Sequence, residues 1–219
     1  MLLAGIFVGG ASRRMGGRPK GWLLAPRDSG RGAREAGATR ISVLERTVLL
    51  ARACCDQVFL VGRADAYAAL GVPAIDDATN AEGARVEGPL AGLVALLERA
   101  GSGGAVALAC DMPYLTSAMF ERLAAFAPEA AAVAAREAEE PGHSREGAEA
   151  GGGMIWSPLF ARYDAARVAP VARQKLESGE RSLRSVLEAV DTRELPLSPQ
   201  ERLALRDWDA PEDVDDARI

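Results

Sequence analysis

Residues 2–8, Leu2-Leu3-Ala4-Gly5-Ile6-Phe7-Val8, run directly into Gly9-Gly10-Ala11-Ser12-Arg13-Arg14-Met15-Gly16-Gly17-Arg18-Pro19-Lys20. The first stretch is apolar throughout and ends at a glycine pair. It is too short for a membrane span or a signal-peptide core with flanks, so its length and composition predict a buried strand. The second stretch packs four glycines, one serine, three arginines and one lysine into twelve residues. Glycines let backbone N–H groups approach a ligand closely, and the cations neutralise negative charge, so a loop of this kind suits a polyphosphate. The spacing fits neither the Walker A pattern nor the GxGxxG of dinucleotide-binding folds, because Gly9 and Gly10 are adjacent. A purely structural alternative is a glycine-rich surface turn with incidental arginines. The placement after a strand weighs toward a ligand, since parallel α/β sheets bind at the carboxyl ends of their strands.

Working outward, apolar runs at 2–8, 57–61, 105–110 and 130–135 alternate with helical patterns at 41–54, 89–99, 117–127 and 182–190. That alternation predicts an α/β domain with a mostly parallel sheet and helices on both faces. Val58-Phe59-Leu60-Val61 and Ala105-Val106-Ala107-Leu108-Ala109 are apolar at every position, as central parallel strands require. Ser182 is the expected N-cap of the 182–190 helix, and Pro211 is expected to open a short C-terminal helix. Residues 27–38 and 136–153 lack apolar periodicity and are expected to be mobile surface loops of a single domain spanning 1–219. The one histidine, His143, falls in the second of these and is expected to be an ordinary solvated side chain.

With 219 residues and 48% hydrophobic content the chain can bury a real core. Its net charge of −5 disfavours a general affinity for nucleic acid and leaves small-molecule chemistry as the better expectation. No apolar run is long enough to enter a membrane as a helix. Three cysteines, Cys54, Cys55 and Cys110, form neither a disulfide framework nor a spaced metal site, so a reducing cytoplasm is the expected compartment.

A second constellation is Ala109-Cys110-Asp111-Met112-Pro113, where an acid ends an apolar strand that Pro113 prevents from continuing. Asp111 there either caps the following turn or holds a hard cation at the sheet edge. Together with the loop of residues 9–20 it supplies what phosphoryl chemistry needs, cations and amides on the phosphates and a carboxylate for Mg²⁺. Between the two lies Gly88-Pro89-Leu90-Ala91-Gly92-Leu93, which starts a helix; taken alone, its small residues signal close packing on the sheet.

In this order the three motifs resemble the molybdenum-cofactor guanylyltransferase family, within the wider Rossmann-like nucleotidyltransferases. The shared pattern is Gly-Gly-x-Ser-x-Arg-Met-Gly with a Lys four residues on, then Gly-Pro-Leu-Ala-Gly, then Asp-x-Pro, and all three stand here. Weaker likeness extends to Arg181-Ser182-Leu183 and Pro211-Glu212-Asp213. The resemblance implies a Rossmann-like nucleotidyltransferase fold and transfer of GMP from GTP to molybdopterin, with Mg²⁺ on Asp111. It implies that Arg14 and Lys20 hold phosphates, and that Phe7, Val8, Gly9, Gly10, Gly88 and Asp77 contact the nucleotide, with Asp76 as the alternative to Asp77. It further implies that a molybdoenzyme or another cofactor-biosynthesis protein is the protein partner. Two departures stand out. Val61-Gly62-Arg63 lacks the Asn that the family places after its second strand. Asp207-Trp208-Asp209 carries acids where the guanylyl branch usually shows Asn, and resembles the CTP-using branch; helix capping is the other role open to the pair. Gly9-Gly10 and the Gly88–Gly92 motif resemble the GTP-using branch, so two features point to GTP and one to CTP.

Overall fold

The structure is a computed structural model that describes residues 1–8, 19–25, 41–81, 83–138, 154–206 and 208. Its centre is β1, Leu2–Phe7, which hydrogen-bonds on both sides: to β2, Gln57–Val61, and to β4, Gly104–Ala109, both parallel to it. Beyond β2 lies β3, Ala74–Ile75; beyond β4 lie β6, Met154–Asp164, then β5, Ala132–Ala138, and β7, Thr192–Glu194. The order across the sheet is β3-β2-β1-β4-β6-β5-β7. β6 runs antiparallel to both β4 and β5, and every other pairing is parallel. The mostly parallel α/β fold expected from the sequence is therefore the fold observed, with one reversed strand inserted.

Because the chain fills β2 and β3 on one side of β1 and then crosses to β4 on the other, β1 and β4 diverge at a topological switch point. Crevices at such points are where open α/β sheets bind ligands.

Alternation along β1 explains the two cores. Leu3 and Phe7 point to one face, where α2, Pro89–Ala100, α4, Ala165–Glu177, and α5, Leu183–Ala189, supply the apolar partners. Ala4, Ile6 and Val8 point to the other, against α1, Val43–Cys54, and α3, Ser117–Ala125. On the first face Gly5 of β1 and Ala105 and Ala107 of β4 are small. A Cβ at Gly5 would lie 2.5 Å from Leu96 Cδ2, so α2 packs closer than any larger side chain allows. A further helix, α6, Pro199–Ala204, lies near the C-terminus. No helix among the described residues is long and apolar enough to cross a membrane, and Cys54, Cys55 and Cys110 are free thiols.

Several details differ from the periodicity. Residues 136–138, expected in a loop, complete β5, because Arg136 and Glu137 find backbone partners in Trp156 and Ile155 of β6. β6 was not anticipated at all. Its Trp156-Ser157-Pro158 stretch has a proline that should interrupt a ladder, but the register jumps so that Ala134 faces Ala161 and Ala135 faces Ser157. Pro158 thus sits in the bulge, where its missing N–H removes no ladder bond to β5. α4 tolerates Pro170 in its second turn, and α6, β3 and β7 are too short to show a period. Ser182 occupies the N-cap of α5 but makes no side-chain cap bond. The expected loop at 27–38, residues 139–153 with His143, and the helix at Pro211 lie outside the described residues.

The first helix carries a full capping box. Ser42 Oγ accepts from Glu45 N at 3.2 Å, and Glu45 Oε2 accepts from Ser42 N at 2.7 Å, which holds the Glu45 carboxyl below its usual range. Ser42→Ala should therefore cost about 1 kcal/mol and lower the thermal midpoint by roughly 2–4 °C, as read by calorimetry.

Candidate functional site

Phe7 stands level with Val61 of β2 and Ala109 of β4, so the segments that leave these three strands emerge at one edge. Phe7 and Val8 have their side chains buried in opposite cores, and what they offer at that edge is main chain. Val8 N already donates to Val61 O at 3.1 Å.

Lys20 opens a single 3-10 turn, Lys20–Trp22, fastened from below. Gly21 N donates to the Tyr67 hydroxyl at 3.1 Å, and Trp22 Nε1 donates to Ala66 O at 2.9 Å. Only glycine fits at position 21, since a Cβ would stand 2.9 Å from the Tyr67 ring and 3.0 Å from Leu44 Cβ. Tyr67 is buried, and desolvation, with the neighbouring Cys110 and Asp111, pushes its hydroxyl up to about 12, so it stays neutral.

Asp111 follows β4 in a turn that is also fixed on several sides. Trp208 N donates to Asp111 O at 3.0 Å, and Arg46 donates to Leu115 O at 2.6 Å. Trp208 is buried with Val43 and Ala25 and meets Tyr114 edge-on at 6.1 Å. Two turns held in this way bring Lys20 Nζ to 3.1 Å from Asp111 Oδ2, both side chains mostly shielded at 16% and 14% exposure. A cation and an anion thus meet at the switch point. The adjacent Cys110 is no nucleophile, because burial, with the Asp111 charge, pushes its thiol up to about 12.

On the β3 side, Asp77 and the start of α2 close together. Gly88 is the N-cap of α2 with φ 130°, ψ 167°, a conformation open to glycine and strained for other residues, and Pro89 occupies the first helical position. Burial raises the Asp77 carboxyl above its ordinary value, with the Gly88 amide acting against it. Gly92 allows the approach, since a Cβ there would lie 2.7 Å from Val61 Cγ1, 3.1 Å from Phe7 and 3.3 Å from Asp77 Oδ1. The Gly88–Gly92 motif therefore does pack closely, as its composition alone suggests, and it also puts Asp77 beside the ends of β1 and β2. Asp76 turns away and pairs with Arg85 at 2.6 Å. Arg63, where an Asn was absent, pairs with Glu87 on the surface.

Of the candidate residues, Phe7, Val8, Lys20, Asp77, Gly88 and Asp111 thus lie along one edge of the sheet. Gly9, Gly10 and Arg14, together with Asp207 and Asp209, lie outside the described residues. Among those described, no group of three or more His, Cys, Asp or Glu is placed to hold a metal. Tyr67 and Trp22 were invisible as site supports, because nothing local marks a tyrosine whose partner is a distant glycine amide. Trp208 stood in view between two acids, but its contact with Asp111 spans almost half the chain. Tyr67→Phe should leave the Gly21 amide buried without an acceptor, at about 1–3 kcal/mol in urea unfolding. A variant as stable as the parent would show that the hydrogen bond does not hold the Lys20 turn.

The family model for the MobA-like NTP transferase domain matches residues 4–194, from β1 through Lys20, Asp77 and Asp111 to β7. A molybdenum cofactor guanylyltransferase of Pseudomonas putida is 32% identical over 214 residues, 96% of this chain and 94% of its own. A probable molybdenum cofactor guanylyltransferase of Opitutus terrae is 29% identical over 234 aligned positions, 99% and 95% of the two chains. In structure, the molybdopterin-guanine dinucleotide biosynthesis protein A of Archaeoglobus fulgidus has the same fold, with TM-score 0.66 at 20% identity over 99% of this chain and 96% of that one. With its fold, the charged pair at the switch point and these matches in agreement, the chain belongs to the MobA-like NTP transferase family and is a nucleotidyltransferase.

Proposed function

We propose that the chain transfers GMP from GTP to molybdopterin, releasing pyrophosphate and forming the guanine dinucleotide cofactor. The observation that carries this reading is the Lys20–Asp111 pair at 3.1 Å, set at the switch point of a family fold whose relatives are named molybdenum cofactor guanylyltransferases. In the proposed assignment Lys20 and Arg14 take the triphosphate, while Asp77, Gly88, Gly9 and Gly10 and the main chain of Phe7 and Val8 take the nucleoside. Asp111 is suited to Mg²⁺: a partly shielded carboxylate at a strand end is a kind of ligand this cation accepts, with phosphate oxygens and water among its other ligands. When bound, the metal would neutralise charge on the phosphates.

The chemistry is displacement at the α-phosphorus. The terminal phosphate of molybdopterin supplies the nucleophilic oxygen; a new P–O bond forms as the bond to the β-phosphate bridging oxygen breaks, and pyrophosphate leaves with that electron pair. A phosphate oxygen is already ionised near neutral pH, so no general base is required of the chain. What the residues contribute is alignment and charge neutralisation. The product would pass to a molybdoenzyme or another protein of cofactor biosynthesis.

A CTP-using variant of the same reaction has one observation in its favour. Trp208, whose sequence neighbourhood Asp207-Trp208-Asp209 resembles that branch, donates its amide to Asp111 O.

Lys20→Ala should weaken GTP binding roughly tenfold to a hundredfold, the worth of one charged hydrogen bond, with a native circular dichroism spectrum. Asp111→Asn should abolish most Mg²⁺-dependent turnover while keeping an acceptor oxygen for Lys20; near-normal rates across a Mg²⁺ titration would remove the metal role.

Nucleotide choice is tested by competition. With Mg²⁺, molybdopterin and equal GTP and CTP, GTP should be consumed by more than the ~10² that size alone provides, because a wrong base leaves buried polar groups unpaired. A CTP preference would reassign the chain to cytidylyl transfer.

A further inference from the structure

The reversed strand β6 brings a second polar cluster to the same edge as Asp111, on the side away from Asp77. Ala134 of β5, Ala161 of β6, Ala107 of β4 and Gly5 of β1 form one row across the sheet. Arg136 is two residues on from Ala134, as Ala109 and Phe7 are from Ala107 and Gly5. Because β5 runs parallel to β4, Arg136 lies toward the same edge as Phe7 and Ala109, past the β6 register shift and two strand spacings from β4, or about 10 Å across. Its cross-strand partner is Trp156, brought level by the Pro158 bulge, which Tyr163 fastens by donating from its hydroxyl to Pro158 O at 2.9 Å.

The Arg136 guanidinium stacks on the Trp156 ring with its carbon 4.1 Å from the centroid. Arg184, from the first turn of α5, donates to Trp156 O at 3.2 Å and brings a second cation to that residue's main chain. Protein partners satisfy Arg136 poorly. Its Nε is buried without a hydrogen-bond partner among the described residues, its bond to Met154 O is long at 3.3 Å, and Glu194 stands 3.9 Å away. Glu194 is also shared with Arg202, at 3.8 Å. A surface arginine that merely decorates a strand keeps its donors in water; this one sits over an indole ring, with its Nε buried and without a hydrogen-bond partner among the described residues. A planar fork held in this way matches a phosphate oxyanion.

We propose that Arg136, seated on Trp156 and flanked by Arg184, is the anion seat for the phosphorylated acceptor, on the opposite side of Asp111 from the nucleoside end of the site. This rests on the nucleotidyl-transfer reading above, and it concerns residues that none of the three sequence motifs contains. The geometry divides the edge into a nucleoside side at β2 and β3, a phosphate centre at β1 and β4, and an acceptor side at β6 and β5.

The test is a split in Michaelis constants. Arg136→Gln and Arg184→Gln should each raise KM for molybdopterin tenfold or more, with KM for GTP changed by less than twofold. Arg136→Lys, which keeps the charge and loses the fork, should fall between. Unaltered GTP binding by calorimetry shows that a variant is folded; if Arg136→Gln is not, Arg136→Lys and Arg184→Gln decide. Equal rises in both KM values, or an unchanged molybdopterin KM, would overturn the seat. A parent enzyme that ignores molybdopterin but uses a sugar phosphate removes the named acceptor and not the seat, which the same variants then judge by that acceptor's KM. No turnover with any phosphorylated acceptor overturns both.

Discussion

The parallel pairing of β1 with β2 on one side and β4 on the other is the constraint on which everything else in the molecule rests. Because Phe7, Val61 and Ala109 share a row, the chain leaves all three strands at one edge, and every group placed just after a strand end becomes a neighbour of the others. A strand buried on both faces can spare no polar side chain, so the charged residues are pushed to its end. There Lys20 and Asp111 meet across 91 residues of sequence. The close approach of α2, permitted by Gly5 and Gly92, fixes the same row from above and brings Asp77 with it.

Shielding a lysine and a carboxylate costs desolvation that their mutual attraction only partly offsets, so such a pair is poor evidence of a need for stability. Its supports are nonetheless elaborate. Tyr67 and Ala66 hold the Lys20 turn, and Trp208 and Arg46 hold the segment around Asp111. Groups whose positions are over-determined by hydrogen bonds need little rearrangement when charge develops between them, which is how preorganised sites lower a barrier.

β6 gives the two halves of the sheet different work. The parallel half brings Lys20, Asp77 and Asp111 to its edge. The half beyond β4 contains the reversed strand β6, and its bulge at Pro158 brings Trp156 level with Arg136. Without the bulge, alternation would set these side chains out of register by an odd number of residues and the guanidinium would lose its ring.

Much of the fold and part of the site could be read from local sequence. Strand β1 and its glycine loop, the apolar strands β2 and β4, helix α2 with Pro89 at its start, and Asp111 before Pro113 all declare themselves, because burial on both faces and the chain reversal after a strand each restrict composition locally. The three motifs also pointed to the family. The choice between Asp76 and Asp77 was left open by sequence; packing against Gly92 turned Asp77 inward and left Asp76 to Arg85. Strand β6 could not be read, since a proline within a strand is tolerated only if the partner strand accommodates a bulge, and that partner is known only once the sheet is assembled. Tyr67, Trp208 and the Arg136–Trp156 stack were hidden for the same reason: their contacts join residues far apart in sequence. Local composition determined which segments lie at the heart of the sheet and which groups stand at its edge; tertiary structure alone decided which of those groups touch, because a contact between distant residues leaves no period or spacing in the chain.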